Sequence, residues 1–357
     1  MHLTVLSVAF PFAPVGPVAV GGAEQILSTL DCALHRAGHV SLVVACEGSR
    51  PAGSLFHFSM PHGKVLEKSD QIWCRNQVQR AIDRALASHP VDLIHMHGLD
   101  FYEYTLPAEI PVLVTLHLPI AWYPADKLKR FHNSVHFCCV SESQRLSCPP
   151  ELRNSAVIEN GTPLPPFEHT PRADFALVLG RICPEKNGHA ALEAGNIAGT
   201  RVLLGGQVFP YHEHLQYFAE KIEPVLRRSP GNVEHEFLGP LEPDRRQRLL
   251  SSAKCLLHPT LAPETSSLVA MEALAAGTPV IAYRSGALPQ IVEHGVTGFL
   301  VDSVEEMADA LGKVHTISSE ACRRAAEQRF SSERMVSAYL QMYRSILYEQ
   351  NSGRMHG

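Results

Sequence analysis

The stretch CLLHPTLAPETSSLVAMEALAAGTPVIAY, from Cys255 to Tyr283, predicts a strand, a loop, a helix and a second strand in that order. The apolar run CLLH is typical of a buried strand, and the helical segment LVAMEALAAG ends at Gly277, a residue that often follows a helix. We expect the hydroxyl of Ser266 or Ser267 to cap this helix. Two strands joined through a helix form one unit of a parallel sheet, so this stretch indicates an α/β fold.

Strands and helices alternate along the rest of the chain. The candidate strands are short apolar runs bounded by turn residues. In the first half they are Leu3–Ala9, Val40–Val44, Asp92–Met96, Val112–Leu116, Val135–Val140 and Ala156–Ile158. In the second half they are Phe175–Leu179, Arg201–Leu204, Cys255–His258, Pro279–Tyr283 and Phe299–Val301. Parallel strands end at one edge of a sheet, so we expect ligands at those edges, in a cleft that two such domains face.

A domain boundary is predicted in ENGTPLPPFEHTPRAD, residues 159–174, because prolines interrupt every periodic pattern there. We expect an N-terminal Rossmann-like domain over residues 1–165 and a C-terminal one over residues 172–331. A last helix follows, about 332–350, with apolar residues at helical spacing. Periodicity alone does not decide which domain this helix contacts, and packing back onto the first domain is one alternative.

Composition and charge exclude several classes of protein. The 357 residues are 45% hydrophobic and 19% charged, which is typical of a soluble globular enzyme. The formal net charge is only -5 and no dense run of Lys and Arg occurs, so nucleic-acid binding is not expected. The densest basic stretch, Lys127, Lys129 and Arg130 near Trp122, is interpreted as a solvated face. Membrane contact is therefore possible but not indicated.

The cysteines and histidines point to reduced thiols and no metal. Nine cysteines without a CxxC pair favour buried thiols and a cytoplasmic location. The apolar run from Leu3 to Phe10 lacks a basic leader and is too short to span a bilayer, which favours a buried first strand. His95 and His97 are the closest histidine pair, yet no third ligand has a recognisable spacing, so no metal site is predicted.

Two loops carry groups suited to an anion. Gly21 and Gly22 follow the first strand at the start of a helix, where free amides and the helix dipole favour negative charge, although a plain turn is the alternative. In LVLGRICPEKN, Gly180 and Arg181 come after a strand and Lys186 lies five residues beyond Arg181. Two cations at the end of a strand suit a diphosphate, and the alternative is a surface pair flanking a loop.

Two acids flank the start of the helix in the opening stretch. Glu264 lies just before that helix, and Glu272 lies about two turns within it. Backbone amides and hydroxyls at Thr265, Ser266 and Ser267 are placed to hold a second phosphate. At 1.5 Å of rise per helical residue, the two acids are expected to contact different parts of one long ligand.

In this order, the motifs resemble the retaining glycosyltransferases of family four, which have the GT-B fold of two Rossmann-like parallel-sheet domains facing a central cleft. The matching stretches are PFAP, GGAE, AGHVSLVV, DLIHMHG, TLHLP, VSES, ENGTPL, GRICPEKN, PETSSLVAMEALAAGTPVIA and GVTGFLV. The resemblance covers nearly all 357 residues. The resemblance implies metal-independent transfer of a sugar, with retention, from a UDP- or GDP-sugar donor to an acceptor hydroxyl, and no cofactor.

The resemblance also implies roles for individual residues. Arg181 and Lys186 would hold the diphosphate and Glu272 the ribose hydroxyls, while Glu264 and His117 would contact the transferred sugar. The catalytic set is then Glu264, Arg181, Lys186 and His117. The donor-binding set is Gly21, Gly22, Gly180, Arg181, Lys186, Glu264, Thr265, Ser266, Ser267, Leu268 and Glu272. Candidates for acceptor contact are His95, His97, Glu24 and the segment 122–130, although Glu24 could instead be a first-turn acid that meets the helix dipole.

Departures from the family's pattern leave the substrates open. Thr265, Ser266 and Ser267 stand where many relatives have Pro, Phe and Gly, and Gln290 stands where an acid is common. The acceptor is expected to be a small molecule, a glycan or a lipid-linked sugar. An isomerase or phosphorylase on the same scaffold is one alternative, and a non-catalytic sugar-nucleotide-binding subunit is another. The missing GxGxxG fingerprint disfavours a nicotinamide dehydrogenase.

Overall fold

The chain divides into two compact units. The computed structural model describes residues 2–17, 19, 21–60, 68–128, 134–167, 171–227 and 233–355. The first unit contains the residues up to Asn160 and those from Glu333 onward, and the second is Gly161–Ser332. The proline-rich segment 159–174 spans this boundary, and its residues 168–170 lie outside the described part.

The first unit is built on a seven-stranded parallel sheet. Its strands are β1 (Thr4–Val8), β2 (Val40–Cys46), β3 (Ser54–Phe58), β4 (Leu93–Met96), β5 (Val112–Leu116), β6 (Val135–Cys139) and β7 (Ala156–Val157). The first three helices are α1 (Gly22–Arg36), α2 (Lys68–Ser88) and α3 (Glu142–Ser147). The strand order is β3-β2-β1-β4-β5-β6-β7.

The second unit repeats this plan with six parallel strands. They are β8 (Phe175–Leu179), β9 (Arg201–Gly205), β10 (Glu236–Gly239), β11 (Cys255–His258), β12 (Val280–Tyr283) and β13 (Gly298–Val301), in the order β10-β9-β8-β11-β12-β13. Its helices are α4 (Gly188–Ala198), α5 (His212–Tyr217), α6 (Glu223–Arg227), α7 (Pro243–Ser252), α8 (Leu268–Ala275), α9 (Leu288–Ile291), α10 (Val304–Lys313) and α11 (Ser319–Arg329). The last helix is α12 (Ser332–Met355).

Each sheet has apolar clusters on both faces. Along β2, Leu42 and Val44 belong to one cluster, while Val43 and Ala45 belong to another. Along β8, Leu177 and Ala176 divide in the same way. Successive side chains of a strand point to opposite faces, so strands covered on both sides are apolar at almost every position. This explains the continuous apolar runs in the sequence, and the predicted α/β class with two parallel-sheet domains is confirmed.

The last helix, α12, packs within the first unit. Tyr339 and Tyr343 are fully buried. The Tyr343 hydroxyl lies 2.8 Å from Nδ1 of His95, and the Tyr339 hydroxyl lies 3.3 Å from Oγ1 of Thr115. These contacts join α12 to β4 and β5.

Two strands were not predicted from the sequence, and both lie at a sheet edge. Strand β3 has only one fully buried residue, Phe58, and β10 has none. An edge strand has a neighbour on one side only and needs no continuous apolar run, so its pattern was not recognised.

All nine cysteines are free thiols, and eight of them are buried. None of the helices in the described part combines the length and apolar character that crossing a bilayer requires. In the predicted basic stretch, Trp122 is half exposed, whereas Lys129 and Arg130 lie outside the described residues.

Candidate functional site

Strands β8 and β11 are neighbours in the second sheet although two strands separate them along the chain. The chain leaves β8 toward β9 and β10, then crosses back to β11. In such sheets the connections diverge where the order reverses, which leaves a crevice at the carboxyl ends of the two strands. The loop after β8 and the loop between β11 and α8 both begin at that crevice.

Close glycine contacts shape the loop after β8. Gly206 has φ +152°, and a Cβ atom there would lie 1.7 Å from the carbonyl oxygen of Gly180. Gly180 itself has φ +146° and donates its amide to Gly205 at 3.1 Å. Only glycine allows this approach, which holds Arg181 at the rim of the crevice. The Arg181 guanidinium is 41% exposed and lies 3.2 Å from the Glu185 carboxylate.

Backbone hydrogen bonds tie the two loops together. The carbonyl oxygen of Glu185 accepts from the Leu261 amide at 2.9 Å and from the Thr260 hydroxyl at 3.1 Å. A 3-10 turn over Pro184–Lys186 ends at Asn187, which adopts the left-handed conformation with φ 54°. The turn carries Lys186 toward the β11–α8 loop.

Lys186, Glu264 and His258 form a buried charged cluster. The Lys186 ammonium pairs with Oε1 of Glu264, which also accepts from Nε2 of His258 at 3.2 Å. Burial raises the pKa of Glu264, but the His258 hydrogen bond and the Lys186 charge outweigh it and bring that pKa to about 2. Glu264 is therefore a carboxylate at neutral pH, although its side chain is only 12% exposed.

Helix α8 begins at Leu268 with Ser267 at the capping position. The prediction that a serine hydroxyl caps the helix is wrong for Ser267, because its Oγ lies 3.3 Å from Nε2 of His258 and makes no capping bond. Ser266 does not cap it either: its Oγ is buried without a hydrogen-bond partner among the described residues. The amides of the first turn therefore have no serine cap.

Glu272 lies within α8 and pairs with Arg246 of α7. Burial raises the pKa of Glu272, and the Arg246 charge opposes that effect. Arg246 was not predicted from the sequence. It lies in the polar stretch PDRRQR, where no motif distinguishes it from the neighbouring arginines.

The loop after β12 fixes the backbone of Glu264. The Ala287 amide donates to the Glu264 carbonyl at 2.7 Å, and the Ser285 hydroxyl donates to the Ala262 carbonyl at 2.8 Å. Gly286 packs against the same segment. These contacts and His258 were not predicted from the sequence. Two features could have indicated them: Gly286 follows the strand β12, and His258 is the last residue of the strand β11.

In the first unit, Gly21 occupies the capping position of α1. The Glu24 carboxylate folds back over it, so a Cβ atom at position 21 would lie 1.9 Å from Oε2 of Glu24. Glu24 is buried, which raises its pKa, while a hydrogen bond to its own backbone lowers it. This is the geometry of a first-turn acid, and contact with an acceptor stays a prediction.

Three predicted histidines of the first unit form a buried cluster. His97 Nδ1 lies 3.0 Å from His117 Nε2, and the two rings stack. His95 has partners on both ring nitrogens, Tyr343 and Thr115. The Nε2 atom of His97 is buried and has no hydrogen-bond partner in the described part of the chain. Burial lowers the pKa of His117 to about 4 and lowers those of His95 and His97 as well.

Two family models match the chain, one in each unit. The model described as Glycosyltransferase Family 4 matches residues 20–162, and the one described as Glycosyl transferases group 1 matches residues 202–316. The chain belongs to the family 4, group 1 glycosyltransferases. The resemblance to family-four glycosyltransferases that its motifs indicated is thereby confirmed.

Two curated relatives match this chain over part of its length. One is N-acetyl-alpha-D-glucosaminyl L-malate synthase of Bacillus anthracis, 33% identical over 100 residues, or 26% of each chain. The other is D-inositol 3-phosphate glycosyltransferase of Rhodococcus jostii (strain RHA1), 37% identical over 130 residues, or 34% of this chain and 28% of the relative. The matched segments thus span only about a quarter of the relatives' own lengths.

The fold of this chain is also similar to a solved structure over almost its entire length. The crystal structure of Anabaena HepE in complex with UDP and glucose aligns with a TM-score of 0.74, covering 96% of this chain and 100% of that one. Sequence identity is 19%, so the likeness concerns the fold alone. It supports the predicted GT-B class.

Proposed function

We propose that this protein is a retaining glycosyltransferase that moves a sugar from a nucleoside diphosphate sugar to an acceptor hydroxyl. The observation that carries the proposal is the ion pair of Lys186 with Glu264 after β8 and β11, beside the first turn of α8, where Arg181 and Lys186 line one pocket. Family membership supports glycosyl transfer as the reaction. The UDP and glucose in complex with the Anabaena protein favour a UDP-sugar donor here, with a GDP-sugar as the alternative.

The diphosphate is the part of the donor that this site suits best. Arg181 and Lys186 supply two cations, and the first-turn amides of α8, from Leu268, supply neutral donors aligned with the helix dipole. The unpartnered hydroxyl of Ser266 is a further donor at the same place. These groups stabilise the charge that grows on the diphosphate as it leaves, so we propose that transfer needs no metal ion at the diphosphate.

Glu264 is proposed to face the transferred sugar. With a pKa of about 2 it is ionised at neutral pH, so it accepts hydrogen bonds from sugar hydroxyls and stabilises positive charge on the ring. A carboxylate of this kind has no proton to donate. With so low a pKa it is also a weak base for the acceptor's proton, which passes instead to the leaving phosphate oxygen as the bond from the anomeric carbon to that oxygen breaks and the bond to the acceptor oxygen forms. Both events occur on one face of the sugar, which gives retention.

The remaining roles are proposals of the same kind. Glu272 would accept from the ribose hydroxyls, with Arg246 opposing the rise in its pKa that burial causes. Amides at Gly21 and Gly22 and the ring of His117 are proposed as further donor contacts. The acceptor is a small molecule, a glycan or a lipid-linked sugar. Among the histidines, His97 suits acceptor contact better than His95, because Nε2 of His97 has no hydrogen-bond partner among the described residues.

Replacing Arg181 by Ala tests the diphosphate site with little risk to folding, because the side chain is 41% exposed. A hydrogen bond to a charged group is worth about 1.5–3 kcal/mol, so kcat/KM for the donor should fall about 10- to 150-fold. The matched control is Arg201→Ala. Arg201 also forms an exposed ion pair, with Glu236, but it lies at the amino end of β9, on the opposite edge of the sheet. Equal activity of the two variants would remove Arg181 from the site.

The reaction itself is tested by product analysis. Thermal shifts with UDP-, GDP-, ADP- and dTDP-sugars identify the donor, and NMR of the product made from that donor reports the anomeric configuration. Retention with net transfer to an acceptor supports the proposal, and an inverted product overturns the mechanism. Turnover of the donor without an acceptor would favour an isomerase or phosphorylase. Donor binding without any turnover would favour a non-catalytic subunit.

A further inference from the structure

A Cys–Glu–His cluster lies beside the loop that carries Arg181 and Lys186. One ligand atom each from Cys183, Glu185 and His214 lie within 4.8 Å of one another. The first two come from the turn after β8, and His214 comes from α5, which follows the neighbouring strand β9. The sequence does not reveal the cluster, because 28 residues separate Glu185 from His214 and no metal-binding spacing links them.

The interactions described for this cluster leave it incomplete. Cys183 is fully buried, and its thiol lies 3.6 Å from the Arg181 carbonyl oxygen and hydrogen-bonds to the Glu185 carboxylate. His214 is 7% exposed, and its Nδ1 atom is buried without a hydrogen-bond partner among the described residues. Buried polar atoms in native proteins almost always have a partner, so this ring nitrogen indicates a missing one. Burial, with the Glu185 carboxylate adding to it, raises the pKa of the Cys183 thiol to about 12, which makes an uncoordinated thiolate unfavourable there.

We propose that Cys183, Glu185 and His214 bind a thiophilic divalent cation of the Zn²⁺ class, with water completing the coordination. Thiolate and imidazole are ligands that Zn²⁺ prefers and that Mg²⁺ and Ca²⁺ avoid. On binding, the S–H bond of Cys183 breaks, its proton leaves to solvent and a metal–sulfur bond forms. Ligand atoms of a tetrahedral zinc site lie roughly 3.5 Å apart, so the three side chains need to close by about 1 Å.

The cation would join the turn over residues 184–186 to α5. This role is structural: none of its ligands is among the residues proposed to contact the donor, and no step of the transfer passes through it. Glu185 also pairs with Arg181 at 3.2 Å, so the cation and the guanidinium compete for one carboxylate. Metal binding would therefore release Arg181.

Cobalt titration tests the site without any need for turnover. Full-length protein is stripped with a chelator and titrated with Co²⁺, which gives a thiolate-to-metal charge-transfer band when a cysteine coordinates it. We expect about one equivalent to bind and Zn²⁺ to displace it. The band should be lost in Cys183→Ala and in His214→Ala, and retained in Cys32→Ser, which removes the half-buried thiol outside the cluster. No band in the wild type, or a band that persists in Cys183→Ala, overturns the proposal.

Cysteine alkylation and the Co²⁺ affinity of an Arg181 variant test the metal site independently. If a variant fails to fold, the rate at which Cys183 of the wild type is alkylated in dilute urea, where buried thiols react through transient opening, is compared with and without Zn²⁺ by mass spectrometry. Zn²⁺ should slow this reaction, and an unchanged rate overturns the site. Arg181→Ala should bind Co²⁺ about two- to fivefold more tightly, because exposed ion pairs are worth up to about 1 kcal/mol and this variant frees Glu185. An unchanged affinity would remove Glu185 from the ligand set.

Discussion

Gly286 lies directly against the backbone of Glu264. A Cβ atom at position 286 would stand 2.1 Å from the Glu264 carbonyl oxygen and 2.4 Å from its amide nitrogen. Gly286 also has φ +56°, so only glycine suits this position on both counts. The contact places the Glu264 carboxylate opposite Lys186 although the two lie 78 positions apart along the chain.

We therefore expect Gly286→Ala to displace the Glu264 loop and to lower the rate of sugar transfer at least about tenfold. A shift of about 1 Å at a reacting group costs up to 100-fold. The measurement is kcat per folded molecule, with the folded fraction determined by urea unfolding.

Gly295→Ala is the matched control for this variant. Gly295 has φ +80° in the same unit, but a Cβ atom there would meet nothing within 4 Å. It should cost about 1–2 kcal/mol of unfolding free energy through backbone strain and leave kcat unchanged. If both variants keep full kcat, the Gly286 contact does not position Glu264.

The sequence predicted the central strands and the loops after them because buried parallel strands leave an apolar signature at almost every position. Arg181 and Glu264 were identified as candidates since each follows such a strand. Their proximity depends on β8 and β11 being neighbours, and periodicity along one chain does not determine strand order. The motif resemblance, rather than the pattern, supplied that link.

The hydrogen-bond and ion-pair partners of side chains were less predictable from the sequence than the helices and strands. His258 and Arg246 carry no motif, yet they contact Glu264 and Glu272. Ser267 occupies the predicted capping position, but its hydroxyl lies beside His258 instead of the helix amides. Such choices depend on which polar group is nearest in three dimensions, and local propensity does not contain that information.

The depressed pKa of Glu264 predicts acid-dependent stability. A carboxyl group that titrates at 4.5 when unfolded and at about 2 when folded stabilises the folded state above pH 4.5. This stability, on the order of 3 kcal/mol, is lost as the pH falls from 4.5 toward about 2. Glu264→Gln lacks this proton linkage.

The free energy of unfolding, measured in urea for both proteins at several pH values, checks this expectation. The difference between wild type and Glu264→Gln should be largest above pH 5 and should narrow steadily below it. A difference that stays constant down to pH 3 would mean that Glu264 titrates normally in the folded protein.

The buried histidines of the first unit predict a second pH effect, with a different window. Burial lowers the pKa of His117 from 6.5 to about 4, so the unfolded chain binds its proton more tightly than the folded one. The stability conferred by the neutral ring is present above pH 6.5 and is lost as the pH falls from 6.5 to about 4. In that pH range His117→Gln should reduce the slope of unfolding free energy against pH by up to about 1.4 kcal/mol per pH unit.

Tyr339→Phe is the control, because it removes a buried hydroxyl near Thr115 in the same structural unit. It should lower stability without changing the slope. Identical slopes in wild type and His117→Gln would show that His117 keeps an ordinary affinity for protons.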